Sequence, residues 1–270
     1  MTSVIERYHQ WRKATLPASK ADVAWRHSDL SGRLDEIARG VKALAMPSSA
    51  PTARRTGVAE TAIALVNSMR QGKATFLQIG GNDGRLADPL HPFIEAYDWR
   101  GVIVEPVPDY FEALRQTHAA RPGVTCVNVA IDVRAGRRDI YRVKPDVVRD
   151  QLMRTGEYWL QGCATFAKDV LLRSGLAESD IEPVSIRTTT GMDIVKDHAL
   201  GDCDLLVVDV EGAEELVLSS FDFASWRPKA IIFESELKTE EERAAIERLL
   251  LVHRYRISWD PFDSVAVAKP

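Results

Sequence analysis

An apolar run that breaks into a glycine-rich turn constrains this chain more than any other feature. Phe76-Leu77-Gln78-Ile79 leads into Gly80-Gly81-Asn82-Asp83-Gly84, and a second run, Val102-Ile103-Val104, ends in Glu105-Pro106, 21 residues beyond Gly84. A glycine turn after a strand lets backbone N–H groups approach a ligand. An acid at the tip of the next strand can take a pair of ribose hydroxyls. This pairing demands an open α/β sheet with its ligand edge at the carboxyl ends of the strands. The turn lacks the first glycine of the dinucleotide fingerprint, because Ile79 stands there, and that weighs against a nicotinamide dinucleotide.

A third element brings more carboxylates to the same edge. Leu205-Leu206-Val207-Val208 runs into Asp209-Val210-Glu211-Gly212-Ala213-Glu214. Strand alternation sends Asp209 and Glu211 to one side. A carboxylate straight after four apolar residues needs a partner, which favours a functional Asp209. Glu211 and Glu214 also suit the positive start of a helix, so both readings stand for Glu211.

From residue 74 the pattern alternates strands, near 74–79, 101–105, 124–129, 205–210 and 229–234, with helices. Such alternation predicts a parallel sheet with helical crossovers. Asp88 with Pro89 predicts a helix start, and Asp109 with Glu112, and Thr239 with Glu242, read as capping boxes. Tyr255 to Trp259 and Ser264 to Ala268 read as a terminal hairpin, which adds an antiparallel edge strand to the sheet. The least regular stretch, 132–204, reads as a cap-like insertion over the ligand edge, with strands at 137–143 and 183–188. Residues 1–72 form a helical arm outside the nucleotide fold, and 73–270 the main domain. Within the arm, Leu30, Leu34, Ile37, Val41 and Leu44 predict an amphipathic helix over 28–45, a proline-containing loop follows at 46–52, and a second helix covers about 57–71. The arm suits a homo-oligomer contact or a lid equally well.

A net charge of −4 gives no basic face for a nucleic acid, so none is expected as a partner. The longest apolar runs, such as Leu205 to Val208, are far too short to span a bilayer. Cys126, Cys163 and Cys203 have neither paired nor metal-type spacing, and Met1 to Arg7 has no basic-then-apolar signal region, so a cytoplasmic protein is expected.

The ordered set Gln78 to Gly84, Glu105-Pro106 with Phe111 and Leu114, Asn128-Val129-Ala130, Asp209 to Glu214, and Pro228 to Glu234 resembles the FkbM-type S-adenosylmethionine-dependent methyltransferases over about 74–268. The resemblance implies a Rossmann-like class I methyltransferase sheet and O-methylation of a sugar, glycan or other small-molecule hydroxyl. It implies S-adenosylmethionine as cofactor, with its methionine part over Gly80, Gly81, Asn82, Asp83 and Gly84, its ribose on Glu105 beside Pro106, and its adenine near Asn128, Ala130 and Ile131. Asp209 is expected to touch the cofactor too. Many class I enzymes carry an acid where this chain has Gln78, so ammonium recognition falls to Asp83, Asp209 or backbone carbonyls. Asp209 and Glu211 are the candidate bases, with Glu234 and His91 in reserve. Asp209, Glu211 and Glu234 lack the compact spacing of a Mg²⁺ site, so no metal is expected. Tyr158, Trp159, Phe166 and Trp259 could stack on a sugar face, although core packing explains aromatics as well. A nucleotide-binding oxidoreductase and a non-catalytic cofactor-binding scaffold remain alternatives.

Overall fold

The computed structural model describes residues 57–156, 159–236 and 238–269. The helix expected over 28–45, the loop at 46–52 and Tyr158 lie outside the described residues. The helix expected over 57–71 is α1, Val58–Met69. It is not detached from the sheet, since Ala59 and Ile63 are buried beside Phe76 and Leu205.

The first half of the sheet is built from β1, Thr75–Ile79, α2, His91–Ala96, β2, Arg100–Val104, α3, Pro108–Thr117, and β3, Val124–Val127. The chain then leaves the sheet through β4, Ala130–Ile131, β5, Gly136–Val143, α4, Pro145–Thr155, β6, Ala164–Thr165, α5, Lys168–Arg173, and β7, Ile181–Thr189. After α6, Gly191–Asp197, it returns as β8, Leu205–Val208, α7, Glu214–Ser219, β9, Ala230–Glu234, and α8, Glu240–Val252. It closes with β10, Tyr255–Ser258, and β11, Asp263–Ala268.

The main sheet has the order β3-β2-β1-β8-β9-β11-β10. Its central strands are nearly continuous apolar runs because helices cover both faces. Alternation along each strand divides the core in two. Leu77, Val104, Leu206 and Phe233 pack against α6, α7 and α8 through residues such as Ile194, Val217 and Ile246. Phe76, Ile103, Val207 and Ile232 pack against α1, α2 and α3 through Ile63, Ile94 and Leu114. All strand pairs are parallel except those of β11, which is antiparallel to both β9 and β10. The expected antiparallel edge strand is therefore an interior one. Ser264, Val265 and Ala266 are all buried, so this strand needs neighbours on both sides, and β10 takes the edge.

Two helix starts differ from the sequence reading. α2 begins at His91 after Leu90, because the Asp88 carboxylate accepts the Leu90 N–H at 2.8 Å and forms a turn instead of a cap. α3 begins at Pro108, whose fixed φ suits a first helical position, and Glu112 pairs with Arg115 at 2.8 Å instead of capping. The box at the start of α8 is present: Thr239 N–H donates to Glu242 at 2.7 Å and Glu242 N–H returns to the Thr239 hydroxyl at 3.2 Å. A second sheet, β4-β7-β5-β6, is built from the 130–189 stretch.

Candidate functional site

Strand register assembles the site. Ile79 pairs with Val104 on one side and Val208 on the other, Val104 pairs with Val127, and Val208 pairs with Phe233. The next residue of each strand, Asn128, Glu105, Gly80, Asp209 and Glu234, therefore reaches one level at the carboxyl edge. β1 is where the winding direction reverses, so the crevice between β1 and β8 is where such a sheet binds its ligand. A cavity of about 580 Å³ opens there. The main sheet supplies one wall, and Ile140, Ala164, Thr165 and Phe166 from the second sheet and its loops face it.

The glycine turn is held close to its neighbours. Gly80 has φ 88°, and a Cβ on it would run into the backbone carbonyl oxygen of Asp209. Only glycine fits between these two strand ends. Asn82 follows at φ 45°, and its N–H donates to Glu105 Oε2 at 2.8 Å. The other oxygen, Oε1, accepts the Val107 N–H at 2.8 Å. Glu105 thus ties the glycine turn to its own loop, while each oxygen keeps a lone pair for a ligand. Burial pushes its carboxyl up to about 8 despite these two N–H groups.

Gly80, Gly81, Asn82, Glu105, Pro106, Ala130, Ile131, Asp209 and Glu211 all line this cavity. The other expected contacts do not. Asp83 points its carboxylate at the N–H groups of Arg85 and Leu86, both at 2.9 Å, and at the Gln161 amide at 3.0 Å. Gly84 packs on Leu114 and His118 behind the turn. Asn128 spends its amide on the carbonyls of Glu105 and Pro106, at 2.8 and 3.0 Å, and so braces the acid-bearing loop. Of the reserve bases, His91 turns towards His118, with ring centroids 6.0 Å apart. Glu234 stands behind Glu211 and Asp209, and burial plus their charges push its carboxyl well up. Phe166 is at the cavity, under the Arg138 guanidinium at 4.2 Å, whereas Trp259 packs edge-on against Phe233.

Asp209 and Glu211 present a concentrated acidity. Asp209 lines the cavity and is itself exposed to solvent. Desolvation, then Glu214 and Asp263, push its carboxyl up to about 7, against the pull of Lys238. Because water reaches it through the cavity, the desolvation acts in full only once a ligand fills that space. Glu211 adopts φ 53°, an uncommon conformation for a side-chain-bearing residue. Burial, then Asp209 and Glu214, raise it to about 8. Among the described residues no group of three or more His, Cys, Asp or Glu is arranged to hold a metal ion.

Two participants escaped the sequence reading. Gln78 Nε2 donates to Asp88 Oδ1 at 3.2 Å, and both residues line the cavity beside the glycine turn. Gln78 Oε1 and Asp88 Oδ2 are buried without a hydrogen-bond partner. A cationic donor such as an ammonium could pair with both acceptors. The second is Lys238, which forms a buried ion pair with Glu214 next to Asp209 and Glu211. No local motif announced either one.

The fold and the cavity define a Rossmann-like α/β crevice, lined by carboxylates, at the switch point of the sheet. The chain matches the family described as Methyltransferase FkbM domain over residues 78–257. It belongs to that family of S-adenosylmethionine-dependent methyltransferases. The structure is similar to Methyltransferase FkbM from Methylobacillus flagellatus KT, at 12% identity and a TM-score of 0.45, over 73% of this chain and 44% of that one. The chain thus spans less than half the length of that protein. It is also similar to a methyltransferase from Geobacter sulfurreducens, at 12% identity and a TM-score of 0.39, over 98% and 96% of the two chains. A third similarity is to Aeropyrum pernix fibrillarin in complex with natively bound S-adenosyl-L-methionine, at 11% identity and a TM-score of 0.38, over 76% and 73%. Among curated proteins none matches significantly. Family membership weighs against the oxidoreductase alternative. Among the described residues no helix is long and apolar enough to cross a membrane.

Proposed function

We propose that this protein transfers a methyl group from S-adenosylmethionine to a hydroxyl oxygen of a sugar, glycan or other small molecule, with Asp209 and Glu211 taking the hydroxyl proton. The observation that carries this reading is the meeting of Gly80, Glu105, Asp209 and Glu211 on one cavity wall. Glu105 would hold the ribose, Ala130 and Ile131 would flank the adenine, and Asp88 with Gln78 would hold the ammonium. When bound, the sulfonium supplies a methyl group already activated for transfer.

The residues of the chain have simpler work to do. They align the acceptor oxygen, exclude bulk water and receive one proton. A carboxylate with a pKa near the working pH suits proton removal, and Asp209 and Glu211 are raised to about 7 and 8. Phe166 and Tyr110, which also line the cavity, offer aromatic surface to an acceptor. The active unit is taken as 73–270 with α1 packed beneath it and the second sheet of 130–189 as its cap, since α6 beyond it packs on the main sheet. Cysteines without paired or metal-type spacing suit a cytoplasmic location.

The test is incubation of the full chain with methyl-labelled S-adenosylmethionine and fractionated small molecules and glycans, read by mass spectrometry. The reading expects a labelled ether in a hydroxyl-bearing product, lost in Asp209→Asn. Label found only on nitrogen or carbon would overturn the O-methyl assignment. Label incorporation that Asp209→Asn leaves untouched would remove Asp209 from the chemistry.

A further inference from the structure

The charge of the cavity wall is one-sided. Its described lining residues include four carboxylates, Asp88, Glu105, Asp209 and Glu211, and no lysine, arginine or histidine. Glu214, Asp263 and Glu236 press on Asp209 or Glu211 from behind, and Glu234 lies against both. Lys238 opposes them, but its ammonium is already engaged by Glu214. Around Glu105 the nearest polar groups are the N–H groups of Asn82 and Val107 and the Tyr110 phenol. Around Asp88 they are Gln78, the Leu90 N–H and His91.

Methyl donor and spent cofactor differ by one charge. The sulfonium of S-adenosylmethionine is positive, and the thioether of S-adenosylhomocysteine is neutral. We propose that this cavity sorts the two by charge, binding the donor more tightly than the product and so limiting product inhibition. The proposal rests on the donor assignment above, and not on the identity of the acceptor. Charges a few ångströms apart in a partly desolvated cavity interact strongly enough for a preference of about tenfold or more.

A proton count accompanies the sorting. Glu105, buried on all sides, is raised to about 8, and Asp88 is raised as well, so the wall holds protons near neutrality before the donor arrives, while Asp209 and Glu211 lean the same way. A sulfonium favours the ionised acids. Each acid that responds gives its O–H proton to the buffer and keeps the bonding pair as a carboxylate. The neutral thioether offers no such drive.

Isothermal titration calorimetry on the full chain tests this at neutral pH, in two buffers of different ionisation enthalpy. The ligands are S-adenosylmethionine, S-adenosylhomocysteine and sinefungin, whose protonated amine stands in the place of the sulfonium. We expect the two cations to bind about tenfold more tightly than the thioether and to release more protons. In Asp209→Asn/Glu211→Gln the preference should shrink to about threefold or less, with thioether affinity retained, which also reports that the variant is folded. Equal affinities in the wild-type chain, or tighter binding of the thioether, would overturn the charge sorting and leave methyl transfer standing. Failure of all three ligands to bind would overturn both.

Discussion

Glu214 and Lys238 form an ion pair whose side chains are 0% and 1% exposed, and the same Glu214 carboxylate receives the N–H groups of Val210 and Gly212 at 3.1 and 3.3 Å. The pair therefore links the first turn of α7 to the segment before α8, and it fixes the turn that presents Asp209 and Glu211. Glu211 can hold φ 53° because both flanking amides are pinned. Lys238→Met should leave a buried charge without a counter-ion and lower unfolding free energy by about 3–5 kcal/mol. Adding Glu214→Gln to it should recover part of that loss. Urea denaturation of the two variants decides the matter, and a single-variant loss below about 1 kcal/mol would mean that the pair behaves as a solvated surface contact.

The Gly80–Asp209 contact yields a sharper expectation. A methyl group on Gly80 meets the Asp209 carbonyl oxygen, which is strand-end backbone and cannot swing aside. Gly80→Ala should therefore spread β1 from β8 at the ligand edge while the rest of the sheet persists. Calorimetry should find no binding of S-adenosylhomocysteine at concentrations that saturate the wild-type protein, with the far-ultraviolet circular dichroism unchanged. Affinity within about threefold of wild type would show that the strand ends are not the cofactor platform.

Much of this geometry is legible in the sequence because the parallel strands end level with one another. Ile79, Val104 and Val208 share a register, so the residue that ends each apolar run necessarily shares an edge. Run endings thus locate Gly80, Glu105 and Asp209 without knowledge of the fold. Side-chain direction in loops is another matter. Asn128 is level with Glu105, yet its amide serves two carbonyls. Asp88 looks like a helix cap because Pro89 follows, and its bond to Gln78 depends on how the intervening loop folds back over ten residues. Glu214 reads as an ordinary helix-start acid until Lys238, 24 residues on, is placed against it.

Glu105 separates structural from ligand-directed roles. It is buried, raised to about 8, and accepts one N–H on each oxygen. Glutamine keeps the shape but only one oxygen, so its NH2 must face the Asn82 or the Val107 N–H, and Glu105→Gln should lower stability by about 1–3 kcal/mol. With that oxygen acceptor lost, nucleoside affinity should fall by about tenfold. 5′-Methylthioadenosine and S-adenosylhomocysteine should weaken by similar factors, since both carry the ribose. A loss confined to S-adenosylhomocysteine would move Glu105 from the ribose to the amino-acid part of the ligand.

The raised acids also fix the signs of two pH dependences. If Asp209 or Glu211 removes the acceptor proton, kcat/KM should climb as pH passes about 7 to 8 and then level off, because only the ionised carboxyl accepts a proton. Stability should run the other way. In the unfolded chain these carboxyls titrate near about 4, whereas in the native protein Glu105 keeps its proton to about 8, and Asp209 and Glu211 are held above the ordinary carboxylate range by desolvation and their acidic neighbours. Between those limits the native state binds more protons, so their contribution is complete below about pH 4, declines as pH rises, and is flat above about 8. Denaturation midpoints at fixed ionic strength should therefore drop from mildly acidic to mildly alkaline pH. Asp209→Asn/Glu211→Gln should make that slope shallower, since two of the raised acids no longer titrate while Glu105, Glu234, Asp88 and Asp263 still do. A wild-type midpoint that rises across this range would show that the acids at the strand ends ionise freely, and that water, rather than protein, sets their environment.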